Sequence, residues 1–249
     1  MSALGCYLED EGLPTVSISL VRKHTEKIEP PRALWVPFEL GRPVGPANDP
    51  AFQKRVLRAA LGLLESSDGP VVLEDFDIDM PGAAGEPGWR SPIPIEPAAP
   101  DTSDPDALTS ALRREMARVQ PFYERALAAR GRTSVGLARV DPADLPALVV
   151  SFFAGGPAEN PVPEVRPGHV MRYASDDLRA YYLEAAGFGD GRPSSQQLAD
   201  WYWDETLAGR TVMALRAACL AGSDKVLSTI AKVILVPGRQ VDKLPPEIA

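Results

Sequence analysis

Cysteine and histidine are nearly missing from this 249-residue chain, which has only Cys6, Cys219, His24 and His169. Two cysteines so far apart give no disulfide framework and no Cys/His cluster with zinc spacing. No stretch approaches the roughly 20 consecutive apolar residues that cross a bilayer. The opening residues Met1-Ser2-Ala3-Leu4-Gly5-Cys6 lack the charged and apolar regions of a signal peptide. Basic charge is also short: 26 Lys and Arg stand against 34 Asp and Glu, a formal net charge of −8. That balance argues against nucleic acid or an anionic membrane as partner. Neither Gly-x-Gly-x-x-Gly nor a P-loop occurs, so no flavin, nicotinamide or phosphate site is read. The expectation is a cytoplasmic protein without metal or cofactor.

What is present is proline and punctuated periodicity. The 26 prolines are about twice the usual share, so loops and extended connections are expected to be common. Residues 3–11 read as a helix stopped by Gly12. Val16–Leu20 and Leu34–Phe38 read as strands, with a charged helical turn over Arg22–Ile28 between them that Pro30-Pro31 ends. Asn48-Asp49-Pro50 starts an amphipathic helix over 51–64. Strand, crossover, strand, helix is the order of a parallel α/β layer.

Residues 67–106 read as a long acidic, Pro/Gly-rich excursion containing Val71-Val72-Leu73. Asp104-Pro105-Asp106 caps a helix from Ala107 to Arg130, closed by Gly131. Farther on, Ser175-Asp176-Asp177 is read as the cap of a helix over 178–186. Ser194–Gln197 caps a long helix to about Ala221, and Ser223 caps one over 224–235. The expected architecture is α/β: an N-terminal parallel layer (1–75), the excursion (76–106) and a mainly helical part packing on the layer (107–249).

Functional groups collect beyond the carboxyl ends of parallel strands, and this directs attention to 22–43. His24, just past the first strand, reads as a general acid or base or as a solvated surface histidine. Arg22 sits on the same turn. Arg32 is either a carboxylate anchor or half of an exposed salt bridge. Glu39 and Arg42 share a short loop, fitted to bind an ammonium and a carboxylate or to pair with each other. On the long C-terminal helix, positions 198, 201, 205, 208, 212, 215 and 219 share one face, and Glu205 is its only charge. If that face is buried, Glu205 must be paired or have a raised pKa; otherwise it lies at the rim. Trp201 and Trp203 are placed to wall a pocket, or the aromatic helix serves as an interface. Cys6 reads as a small apolar filler or a reactive thiol, and His169 as a loop residue.

The segment Gly12-Leu13-Pro14, Pro30-Pro31-Arg32 and Val36-Pro37-Phe38-Glu39-Leu40-Gly41-Arg42-Pro43 resembles the selenoprotein B family of glycine, sarcosine, betaine and D-proline reductases. There a Gly-Ile-Pro strand is followed by a proline-bounded segment ending in Pro-His-Pro-Leu-Gly-x-Pro, then a helix. Pro37, Leu40, Gly41 and Pro43 match that ending, with Phe38-Glu39 in place of His-Pro. The resemblance covers about residues 3–66. It implies an oxidoreductase-like enzyme or subunit acting on a small organic amine or thiol. The family's selenocysteine or cysteine lies upstream of the helix before Gly-Ile-Pro, at positions that would precede Met1. The redox thiol or selenol is therefore expected from a Cys- or Sec-bearing partner, or is lost. A non-catalytic scaffold or binding subunit is the alternative, and self-association stays open. His24 and Glu205 are the catalytic candidates; Arg22, Arg32, Glu39, Arg42 and Trp201 are the binding candidates.

Overall fold

The computed structural model describes residues 2–66, 69–189 and 191–243. They form a mixed α/β structure, mostly helical with a small parallel sheet. The chain divides into two compact units, Met1–Ala83 and Ala84–Ala249.

In the first unit α1 (Ser2–Asp10) ends where Gly12 turns to φ +79. The Gly12 and Leu13 amides then donate to the carbonyls of Glu9 and Leu8, both at 2.9 Å, which satisfies the last carbonyls of the helix. Next come β1 (Ser17–Ser19), α2 (Arg22–Ile28), β2 (Arg32–Trp35), α3 (Pro50–Gly62) and β3 (Val72–Asp75). All pairings are parallel, in the order β1-β2-β3, with Ser17 opposite Ala33 and Ala33 opposite Leu73. Strand β2 begins two residues before the expected Leu34 and ends at Trp35. Val36 still donates to the Ser19 carbonyl at 2.9 Å, but Pro37 has no N–H to continue the ladder.

The third strand corrects the reading of 67–106 as excursion alone: its apolar run is three residues long, too short to separate from a loop by pattern. Residues 76–104 are irregular. As expected, Asp49 caps α3, its carboxylate accepting from the Phe52 amide at 3.0 Å, with Pro50 in the first turn. Phe38, Phe52 and Phe76 meet with ring centroids 5.6–6.2 Å apart in the small core that also holds Leu34, Val36 and Val56.

The second unit is helical. Helix α4 (Pro105–Arg130) is capped by Asp104 and closed by Gly131 in the left-handed region, as its sequence signals require. Then follow α5 (Leu145–Ser151), α6 (Pro167–Ala186), α7 (Ser195–Asp200), a π-helical turn (Trp201–Glu205), α8 (Leu207–Ala221), α9 (Lys225–Ile230) running into a π-turn (Ala231–Leu235), and α10 (Gly238–Val241).

Three helix starts differ from expectation. Helix α6 begins at Pro167, so Ser175-Asp176-Asp177 lies in its middle and His169 in its first turn rather than in a loop. The cap-like side chains bond elsewhere. The Ser175 hydroxyl donates to the Met171 carbonyl at 2.9 Å. Asp177 accepts from the amides of Gly136, Leu137 and Ala138 at 2.8–3.0 Å. The cap of α9 is Asp224, not Ser223. The expected long helix over 195–221 is broken at Thr206, which is extended. Thr206 caps α8, its hydroxyl accepting from the Gly209 amide at 2.9 Å and donating to the Tyr202 carbonyl at 2.6 Å.

Candidate functional site

At the carboxyl end of the sheet, where the functional groups were expected, the charges are already matched. Arg22 opens α2, and its Nε donates to both carboxylate oxygens of Asp75, the last residue of β3, at 3.0 and 3.2 Å. Its Nη1 bonds Glu26 one turn on. The pair with Asp75 is 37–41% exposed on both sides, so it is a modest clamp between α2 and β3. The Ser19 and Thr25 hydroxyls bond to each other beside it. His24 is exposed on α2. Glu39 and Arg42 are exposed and joined through the backbone, the Arg42 amide donating to the Glu39 carbonyl at 3.1 Å. Among the described residues no ion pair links either side chain to the other, to Arg22 or to His24.

The opposite end of the same sheet holds a cavity of about 450 Å³. Arg32, the first residue of β2, and Thr15, just before β1, lie in its lining, with apolar walls from Leu4, Leu8, Val16, Ile18, Pro31 and Val44. Arg32 Nη1 donates to Glu9 Oε1 at 2.7 Å, and both side chains are mostly enclosed. The Thr15 amide and hydroxyl also donate to that Glu9 oxygen. The Thr15 amide, and after it the Arg32 guanidinium, hold the Glu9 carboxyl below its ordinary range, so Glu9 is an anion at neutral pH. The Arg32 Nε–H is buried and has no partner. An enclosed charged donor without an acceptor is costly, and Arg32 is at the same time a lining residue of the cavity.

Of the catalytic and binding candidates singled out from sequence, Arg32 lines this cavity. Glu9, its partner, was missed; its only signal was a carboxylate five residues before Pro14, too common to mark it.

In the second unit Trp201 and Glu205 do not form a site. Trp201 is 4% exposed, packed into the core with its ring centroid 6.2 Å from that of Tyr182. Tyr202 and Trp203 are buried as well, so these aromatics are core and not an interface. Glu205 is exposed, because the π-turn and the break at Thr206 rotate it out of the apolar stripe. Besides Asp177, the interior carboxylate of this unit is Glu115 on α4. Glu115 accepts from the Leu207 and Ala208 amides at 2.8 and 3.0 Å and from the Tyr182 hydroxyl at 2.8 Å. Burial nevertheless pushes its pKa up, outweighing these donors. Its signal was present in the sequence: on the stripe Leu108, Leu112, Glu115, Val119, it is the one charge among buried residues. It joins α4 and α6 to the start of α8, a structural role. Cys219 is also buried, and burial raises its thiol pKa, which leaves it a poor nucleophile.

The chain matches no protein-family model, no curated protein and no solved structure. Among the described residues no group of three His, Cys, Asp or Glu is placed to hold a metal ion. No helix among them is long and apolar enough to cross a membrane.

Proposed function

We propose that this chain is the substrate-holding part of an enzyme of the glycine, betaine and D-proline reductase type, acting on a small organic amine. The observation that carries the proposal is the guanidinium-bearing Arg32 in the lining of a largely apolar cavity, held in place by its ion pair with Glu9. That arrangement suits a small carboxylate-bearing amine: its carboxylate pairs with the Arg32 guanidinium, and its carbon skeleton meets the proline and aliphatic walls. In this reading the two electrons and two hydrogens for reductive C–N cleavage come from a thiol or selenol together with a second thiol on another polypeptide, oxidised to a disulfide or selenosulfide as the carbon gains hydrogen and the amine leaves as ammonium. His24 remains the candidate proton carrier only if a partner brings the reacting centre to α2. Phe38 occupies the first place at which the chain departs from the family ending, and its ring fills the core rather than facing a ligand.

Calorimetric titration of the purified chain with glycine, sarcosine, betaine and D-proline tests this. At least one is expected to bind, and Arg32→Gln is expected to weaken it about a hundredfold, the loss of a charge-assisted bond pair, while Arg22→Gln leaves affinity unchanged. Binding that is indifferent to Arg32, or no binding of any of the four, overturns the assignment. A second reading, a non-catalytic subunit, is favoured by the exposed apolar side chains of Leu4, Tyr7 and Leu13 on α1 and its exit. It predicts the same binding, with no turnover when a dithiol and the native partner are supplied.

A further inference from the structure

The second unit contains a separate cavity of about 480 Å³, between α4, the turn at 141–143 and α6. Tyr181 lines it and is 4% exposed. Its ring stacks on Tyr123, centroids 4.1 Å apart. The Tyr123 hydroxyl is already engaged: it donates to Thr133 at 2.9 Å, and Thr133 donates to Glu184 at 2.8 Å. The Tyr181 hydroxyl has no hydrogen-bond partner among the described residues, yet it is not among the side-chain atoms sealed from solvent. Its opening is therefore the cavity. A hydroxyl in so enclosed a position needs a partner, which water or a ligand in the cavity supplies.

Two carboxylates, Glu124 and Asp141, share the lining with this hydroxyl. Glu124 accepts from the Gln120 amide at 2.7 Å and Asp141 from the Ala143 backbone at 2.8 Å. Neither has an ion-pair partner among the described residues. Burial, followed by the charges of Glu124 and Asp141, holds the Tyr181 hydroxyl above its ordinary pKa, so it stays a neutral donor and acceptor. Arg113 is the only basic residue in the lining, which leaves the cavity with an excess of one negative charge. Met116, Leu127 and Pro142 supply apolar wall.

We infer that this cavity is a binding site for an apolar ammonium compound without a carboxylate of its own, with Tyr181 accepting from the ammonium and Glu124 and Asp141 neutralising it. Both carboxylates are solvent-exposed; an anion would face them, whereas a cation is drawn to them. This site is distinct from the Arg32 cavity and does not depend on it.

The test is a titration of the full chain with phenethylammonium, compared with neutral 2-phenylethanol and anionic phenylacetate. The ammonium is expected to saturate and to weaken with added salt. Its Kd is expected to rise about tenfold in Glu124→Gln and in Asp141→Asn, and about fivefold in Tyr181→Phe, which keeps the stacked ring. Asparagine retains the acceptor that the turn at 141 requires, and an unchanged melting temperature checks the fold of each variant. Arg32→Gln is expected to leave this affinity unchanged, so failure here and failure of the Arg32 assignment are separable. Equal affinity for the alcohol, preference for phenylacetate, no saturation at millimolar ammonium, or indifference to all three substitutions overturns the inference.

Discussion

Glu115 shows how much one side chain decides in the helical unit. Its carboxylate collects two backbone amides and a phenol in a site that is 6% exposed. Replacing it by glutamine puts an amide where an acceptor is needed and leaves one buried donor unmatched. The expected cost is about 1–3 kcal/mol, read as a lower denaturation midpoint in urea at unchanged slope. Its pH dependence has a definite sign. The pKa of Glu115 is raised in the folded state above its ordinary 4.5, so between those two values the folded chain holds more protons than the unfolded one. Stability relative to Glu115→Gln is therefore expected to be greatest below about pH 4.5 and to fall as pH rises through the raised value. A wild-type-minus-variant difference that stays flat, or that grows with pH, contradicts this. Glu205 is exposed although helical spacing places it on an apolar stripe, whereas Glu115 is the buried charge on such a stripe in α4. A π-turn changes the angular phase of everything before it, and hydrophobic spacing does not reveal it.

At the level of elements, the readable helix ends are those whose signals lie in consecutive residues: Asp49-Pro50, Asp104-Pro105, Arg130-Gly131 and Glu11-Gly12. Ser175-Asp176-Asp177 has the same grammar and a different use, because Asp177 reaches loop amides some 40 residues away in sequence. Long-range use of a local motif is invisible until the chain is folded. Asp177→Ala leaves three amides without their acceptor. It is expected to cost roughly 2–4 kcal/mol and to speed amide exchange at Gly136, Leu137 and Ala138. Unchanged exchange there contradicts the role. Gly209 holds the π-turn against α8: a Cβ at this position would stand 2.1 Å from the Tyr202 carbonyl oxygen. Gly209→Ala is expected to cost more than about 3 kcal/mol by forcing that backbone apart, seen as a large drop in melting temperature with loss of near-ultraviolet signal from the Trp201–Trp203 cluster. A variant as stable as the parent would show that the two segments are not in contact.

Across the whole molecule, the division of labour follows composition. The first unit gathers a three-phenylalanine core behind a short parallel sheet, and the second gathers most of the tyrosines and tryptophans in a helical core. The α/β character of the first and the helical character of the second were legible in periodicity and turn residues. The third strand was not, since a four-residue strand carries too little pattern to separate from a loop. The expectation that ligands sit beyond the carboxyl ends of the strands met the opposite arrangement: Arg22 and Asp75 match each other there, and the cavity opens at the amino ends around Arg32. Arg32 is proposed to hold the carboxylate of a small amine substrate. The most direct measurement is the Nε–H resonance of Arg32 in a proton–nitrogen spectrum, assigned by its loss in Arg32→Lys, during titration with glycine, sarcosine, betaine and D-proline. It is expected to shift downfield and saturate with the one that binds, with the Arg22 Nε–H unmoved. A bound ligand that leaves the Arg32 resonance in place, or four ligands that leave it unmoved at millimolar concentration, would contradict the claim.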